Sequence, residues 1–200
     1  MKKLIIFTIA AAWAFGLNAC TRAEDAGKEE LEVDYPKPLF VGTPVKVKLP
    51  NLEEPRKEGT PPPVFMVPKG TKNLAKGKTV TSSDEYPIIG ELELVTDGDM
   101  EGTDGSYVEL GPGLQWVQID LGKASALYAV MVWHFHSEPR AYLDMVVQLS
   151  NDPDFVEGVT TIYNNDHDNS AGFGVGKDKA YIETNHGRLA DAKGTKARYL

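Results

Sequence analysis

The chain holds a single cysteine, Cys20, among its 200 residues. No disulfide can therefore form within it, and stability must come from packing and hydrogen bonding. Basic residues are in the minority, with 21 Lys and Arg against 29 Asp and Glu and a formal charge of -8. Such a balance argues against electrostatic binding of nucleic acid or anionic head groups, and suits solubility and the recruitment of cations. Beyond residue 17 no apolar run approaches the roughly 20 residues of a membrane-spanning helix. A long helical stripe is also missing. No G-x-S-x-G elbow is present, and no His–carboxylate pair can be assigned to a serine, so nucleophilic catalysis has no support. Nothing singles out two carboxylates for glycoside hydrolysis.

What the chain does have begins with Lys2 and Lys3, followed by the 14-residue apolar run "LIIFTIAAAWAFGL" at 4–17. Too short to span comfortably, this run reads as a cleaved signal peptide over residues 1–19. The next motif, "LNAC" (Leu17 to Cys20), resembles the bacterial lipobox, although Asn18 replaces the usual Ser or Ala. The resemblance implies lipidation at Cys20, membrane contact only through that anchor, and location in the outer membrane or at the cell surface, since Thr21 is not the aspartate of inner-membrane retention. Loss of Lys2 and Lys3 with the leader moves the formal charge from -8 to -10.

Residues 20–72 read as a tether. Nine of the 13 prolines lie between Pro36 and Pro68, including Pro61-Pro62-Pro63, a composition that favours extended chain over a packed core. Within it, "LFVGTPVKVKLP" (39–50) is apolar enough to adhere to a neighbouring domain. From about Asn73 short apolar runs alternate with Gly, Asp and Asn turns, as in an antiparallel sandwich or barrel. "LQWVQIDLG" (114–122) sets Val117, Ile119 and Leu121 on one face. "ALYAVMVWHFH" (126–136) is apolar on both faces up to Val132, as a covered central strand would be. "LDMVVQLSND" (143–152) aligns Leu143, Met145, Val147 and Leu149. These features predict one all-β domain over residues 73–200.

Five segments in order, "NLAKGKTVTSSDE" (73–85), "ELVTDGDMEG" (93–102), "QWVQIDLGKASALYAVMVW" (115–133), "VVQLSNDPDF" (146–155) and "KGTKARYL" (193–200), resemble the coagulation factor V/VIII type C, or discoidin, domain. The resemblance implies a galactose-binding-like, jelly-roll β-sandwich of the kind found in bacterial carbohydrate-binding modules. It also implies that "ARYL" leads into a last strand pair, so at Leu200 the sandwich is expected to lack its last strand or strands.

Metal chemistry is expected first at the acidic turn "TDGDMEGTDG" (96–105). Asp97, Asp99, Glu101 and Gly102 match positions 1, 3, 5 and 6 of an EF-hand loop, but Val108 stands at position 12 and flanking helices are missing, so an EF-hand is rejected. The resemblance instead implies a structural Ca2+ held by Asp97 and Asp99, with Thr103 or Asp104 as further ligands.

The stretch "VWHFHSEPRAYLD" (132–144) offers His134, His136, Glu138, Arg140 and Tyr142 in one strand–loop unit. Arg can pair with vicinal hydroxyls and an aromatic face can cover a sugar ring, and the resemblance places a ligand rim at such loops. The competing reading is a metal-dependent enzyme using His134 and His136, with His167 or Asp168 as third ligand. A second cluster, "YNNDHDNSAGFGVGKD" (163–178), reads as a long loop after a strand, with Asn165, Asp166 and His167 as further ligand-binding candidates. Its "GFGVGKD" is no phosphate-binding loop, because Ala171 and Asp178 occupy positions that need Gly and Ser or Thr. The expected function is that of a non-catalytic, surface-anchored lipoprotein binding a glycan or another envelope ligand. A structural or protein–protein interaction module is the alternative.

Overall fold

The computed structural model describes residues 27–39, 48–54, 56–57 and 59–200. The leader, Cys20 and most of the 39–50 segment lie outside the described residues. Two compact units are present. The first includes the described residues up to Glu32 together with Val64–Thr71. In it β1 (Lys28–Glu30) pairs antiparallel with β2 (Met66–Pro68), with Glu29 opposite Val67. Glu29 Oε1 accepts from the Gly70 amide at 2.7 Å and so closes the turn that follows β2.

The second unit spans Val33–Pro63 and Lys72–Leu200. It is all-β and antiparallel, as the alternation in the sequence predicts, with one short 3-10 turn at Leu92–Val95. Its strands are β3 (Thr79–Ser82), β4 (Val117–Val132), β5 (Ala141–Tyr142), β6 (Val146–Leu149), β7 (Thr160–Asn164), β8 (Tyr181–Ile182) and β9 (Arg188–Tyr199). The long β4 lies between β3 and β9, β5 pairs with β8, and β6 pairs with β7. An antiparallel bridge from Ser150 to Tyr199 joins the end of β6 to β9.

The sequence suggests separate strands over 114–122 and 126–136, whereas one strand runs from 117 to 132. The joint is a pair of irregularities. Gly122 takes φ +82, and on β9 Lys193 and Gly194 take φ +53 and +78, so the register shifts between Asp120 and Ser125 and again between Leu127 and Ala129. Bulges of this kind bend and twist a strand without ending it. β4 keeps the expected inward alternation at Ile119 and Leu121 but leaves Val117, its first residue, exposed at the strand end, then buries Leu127 and Val130.

Small residues on β9, Ala190, Ala192 and Ala197, face this core, and the rings of Tyr163 and Tyr181 fill it with Leu149. Alanine on one face opposite tyrosine on another is the large–small complementarity that close packing requires. The "ARYL" segment, expected to precede a closing strand, is itself held in the sheet. Leu200 exchanges backbone hydrogen bonds with Ile119, and Tyr199 and Arg198 donate to Ser150 O.

Two expectations are corrected by position. Leu143 does not share the inward face of Met145, Val147 and Leu149. Asp144 adopts φ +57, which rotates the chain between them and leaves Leu143 41 % exposed. Part of the proline-rich stretch also belongs with the sandwich unit. Leu52 bridges Ala180, Asn51 Nδ2 donates to Asn165 O, and Asn185 Nδ2 donates to Pro36 O. Glu53 pairs with Arg188 through both carboxylate oxygens at 2.6 and 3.1 Å.

Candidate functional site

The stretch after β4 is organised by a buried acid. Glu183, directly after β8 and 1 % exposed, accepts from the His134 amide at 3.1 Å and lies 3.3 Å from His134 Nδ1. Its other oxygen accepts from the Thr184 amide. The β5–β8 pairing sets it there, since the Glu183 amide donates to Arg140 O just before β5. Tyr181 Oη lies 3.0 Å from His134 Nδ1, and the Tyr142 ring stacks on the His134 ring at 4.2 Å. Burial, then the Glu183 charge, push the Tyr142 phenol up to about 12, and the same two causes raise Tyr181 further. Both phenols are neutral hydrogen-bonding groups at any physiological pH.

His134 and His136 do not act together. The strand ends at Val132, so spacing of two no longer guarantees a shared face. His136 is 1 % exposed and its Nε2 lies 2.8 Å from Met100 O. Gly102, at φ +66, packs against that ring, and a Cβ there would stand 2.8 Å from His136 Nε2. Ser137 Oγ donates to Gly102 O. The second histidine therefore locks the 100–102 loop onto the strand end.

The other residues of the expected rim divide the same way. Tyr142 Oη donates to Phe135 O, and the Arg140 guanidinium lies 4.4 Å over the Phe135 ring while pairing with Glu138 at 3.3 Å. Only Glu138 and Arg140 present their side chains mainly to solvent. Asn165 and Asp166 are fully buried. Asn165 Oδ1 accepts from the Met145 amide at 2.7 Å and its Nδ2 donates to Tyr142 O at 3.1 Å. Asp166 accepts from the Ser170 and Ala171 amides at 3.0 and 2.8 Å. His167 and Asp168 follow on that capped turn, beside Asp144.

At the acidic turn the carboxylates serve the local backbone. Asp97 Oδ1 accepts from the Asp99 amide, Asp99 Oδ1 accepts from the Glu101 amide, and Asp99 Oδ2 accepts from Ser106 Oγ. The Lys76 amine already sits against Gly98. Asp104 is exposed. Among the described residues, the one group of three His, Cys, Asp or Glu side chains whose ligand atoms converge is Asp144, His167 and Asp168.

No protein-family model matches the chain, and no curated protein matches it in sequence. Solved structures similar to it are chitosan-binding modules derived from a chitosanase/glucanase from Paenibacillus sp. IK-5. A selenomethionine-labelled mutant of module 1 is 23 % identical with a TM-score of 0.41, over 64 % of this chain and 80 % of that one. Module 2, solved in complex with chitotriose, is 22 % identical with a TM-score of 0.38, over 64 % and 82 %.

A second surface was not anticipated from the sequence. Past the ends of β3 and β4, loops 83–91 and 109–116 are stitched together. The Ser83 amide donates to Trp116 O at 3.1 Å, the Trp116 amide donates to Ser83 Oγ at 2.9 Å, and Ile89 bridges Glu109. Asp84 accepts from the Tyr86 and Gly111 amides at 3.0 and 2.7 Å. On this fixed base Trp116 is 54 % exposed and Tyr86 85 %, with Ile88 and Leu114 exposed beside them in sequence. A signal for it was available. If Ile119 and Leu121 face inward, Leu114 and Trp116 have outward parity, and an outward tryptophan needs a reason.

Proposed function

We propose that this chain is a non-catalytic carbohydrate-binding module that takes an oligosaccharide on the Trp116–Tyr86 surface. The observation that carries the proposal is Trp116, a half-exposed indole on backbone bonded in both directions to Ser83. A sugar ring presents an apolar C–H face that an aromatic ring covers, and a pre-fixed aromatic does so at low entropic cost. The rim expected at His134, His136, Glu138, Arg140 and Tyr142 is less suited. Its aromatic and imidazole groups are committed to one another, to Glu183 and to main-chain oxygens.

The exposed acids Glu85 and Glu109 lie on the same two loops as Tyr86 and Trp116. With the chain's negative charge they favour neutral or amino-sugar glycans over sulfated or uronic ones. Anchoring through Cys20 is part of the same reading, supported by Lys2, Lys3, the 4–17 run and "LNAC". A tethered module gains from a high local concentration, which offsets weak single-site sugar recognition.

Tryptophan fluorescence titration against a panel of neutral, amino and acidic oligosaccharides tests the reading. Saturable binding is expected for at least one neutral or amino glycan, weakened about tenfold or more in Trp116→Ala. Silence across the panel, or binding indifferent to Trp116→Ala, refutes it. Exposed Ile88 and Leu114 favour a second reading, a protein partner on the same surface. Capture of one envelope protein, lost in Ile88→Asp and unaffected by any glycan, would establish that reading instead.

A further inference from the structure

The loop after β7 gathers groups that neither the fold nor the glycan surface uses. β6 and β7 pair with Val146 opposite Asn164, so the residues just outside that hairpin end, Asp144 on one side and Asp166 to Asp168 on the other, face one another. Asn165 fixes the juxtaposition. Its side chain bonds the Met145 amide and Tyr142 O, and its own amide donates to Met145 O at 3.1 Å. Asp166 caps the turn through Ser170 and Ala171, and Asp168 Oδ1 accepts from the same Ser170 amide at 3.1 Å.

In that frame one ligand atom from each of Asp144, His167 and Asp168 lies within 4.8 Å of the others. Asp144 Oδ1 and His167 Nδ1 are both buried and have no hydrogen-bond partner. Nor do the three pair across the gap. Among the described residues the ion pairs are His134–Glu183, Arg140–Glu138, Arg188–Glu53 and Arg198–Asp120. An Asx turn accounts for Asp166 and Asp168 but not for the unpartnered imidazole nitrogen of His167 and the unpartnered carboxylate oxygen of Asp144 in one cluster. Polar atoms left bare in the interior cost about 1–3 kcal/mol each, so an unused pair calls for a partner.

We infer that Asp144, His167 and Asp168 form a binding site for a borderline divalent transition metal, of which Zn2+ is the representative. One imidazole with two carboxylates is a zinc-type donor set, whereas Ca2+ and Mg2+ take oxygen ligands. In a tetrahedral site, bonds of about 2.0–2.2 Å set ligand atoms about 3.3–3.6 Å apart, so side chains whose ligand atoms lie within 4.8 Å of one another close on the ion by rotamer shifts of up to about 1.5 Å. Three protein ligands leave a coordination position open, and Asp168 lies on the solvent side.

The purified chain, stripped with chelator, is titrated with ZnCl2 by calorimetry, with a parallel thermal melt. One equivalent is expected to bind, tighter than Ca2+ and with a rise in Tm. His167→Ala and Asp168→Asn should each weaken binding by at least about tenfold, as loss of a ligand or its support does. Asp168 is exposed, so its variant stays informative if His167→Ala fails to fold. Absence of saturable 1:1 zinc binding, zinc binding untouched by both substitutions, or preference for Ca2+ each overturns the inference. The glycan titration reads a different surface, so either proposal can fail alone.

Discussion

Asn165 was expected to contact ligand, yet it is buried beyond reach of one, and its replacement separates the two roles. Asn165→Leu keeps nearly the same volume and so opens little cavity. It removes the acceptor of the Met145 amide at 2.7 Å and the donor to Tyr142 O at 3.1 Å. Each main-chain group left bare costs about 1–3 kcal/mol. Both are only partly buried and water can reach some of their surface, which puts the expected loss at about 3 kcal/mol. Asn165→Asp adds a pH signature. Its carboxylate would face Tyr142 O and Lys179 O, where the amide now donates, so its pKa rises on folding. A carboxyl with a raised folded pKa is penalised above that pKa and relieved below it, because the protonated form regains a donor. Relative to the wild type, Asn165→Asp should therefore be weakest near neutral pH and recover on acidification. Urea unfolding across pH 4–8 measures both effects. A cost below about 1 kcal/mol for Asn165→Leu, or a pH-independent Asn165→Asp, would show that the residue does not tie the hairpin together.

Further expectations follow from other contacts. Arg198 holds the Asp120 carboxyl near 2, through two hydrogen bonds at 2.8 Å aided by the Gly122 amide. That stabilisation is complete above the unfolded pKa of 3.8 and is lost as pH falls through about 2; with both side chains partly exposed it amounts to on the order of 1 kcal/mol. Asp120→Asn should lower stability by that amount at pH 6 and by little near pH 1.5, read by urea midpoints. Gly102→Ala forces a side chain into a left-handed backbone and onto the His136 ring. It should cost about 2 kcal/mol or more and shift the His136 ring resonances in NMR spectra. Glu53→Gln strips the charge partner from Arg188, which stacks 3.8 Å over Tyr181 with its Nε buried and unpartnered. A loss of about 2–3 kcal/mol is expected, with faster proteolysis within residues 33–63.

Much of the sheet was legible because period-two alternation survives where a strand buries one face. Ile119 and Leu121 stand inside as the alternation requires, and Leu149 is fully buried. Legibility failed where the backbone left regular geometry. Gly122 reads as a turn signal but sits in a bulge within β4, where the residues between Asp120 and Ser125 stand opposite Arg198 alone on β9. Asp144 at φ +57 has no signature in an otherwise alternating string, although aspartate is among the few residues that tolerate that region. The proline-rich segment looked like a tether because composition reports what a chain cannot pack alone. It does not report that Glu53 would find Arg188, 135 residues away.

The site was harder to read for a reason that concerns polar residues generally. His, Asn and Asp in loops have the same composition whether they face a ligand or satisfy the chain's own amides, and burial alone separates the two. In "YNNDHDN" both outcomes occur side by side. Asn165 and Asp166 are consumed by Met145, Tyr142, Ser170 and Ala171, while His167 keeps an unpartnered nitrogen one residue later. The consumed residues are what make the unconsumed ones useful. Without Asn165 tying 142–145 to 163–166, Asp144 would not stand against His167, and without Asp166 the turn carrying Asp168 would not hold its shape. The Trp116 surface repeats this arrangement, with Ser83 and Asp84 spending their hydrogen bonds on backbone so that an indole is held out to solvent. A residue that looks functional in the sequence and proves to be structural therefore marks the neighbourhood of a site, and the residues to test are the neighbours it leaves without partners.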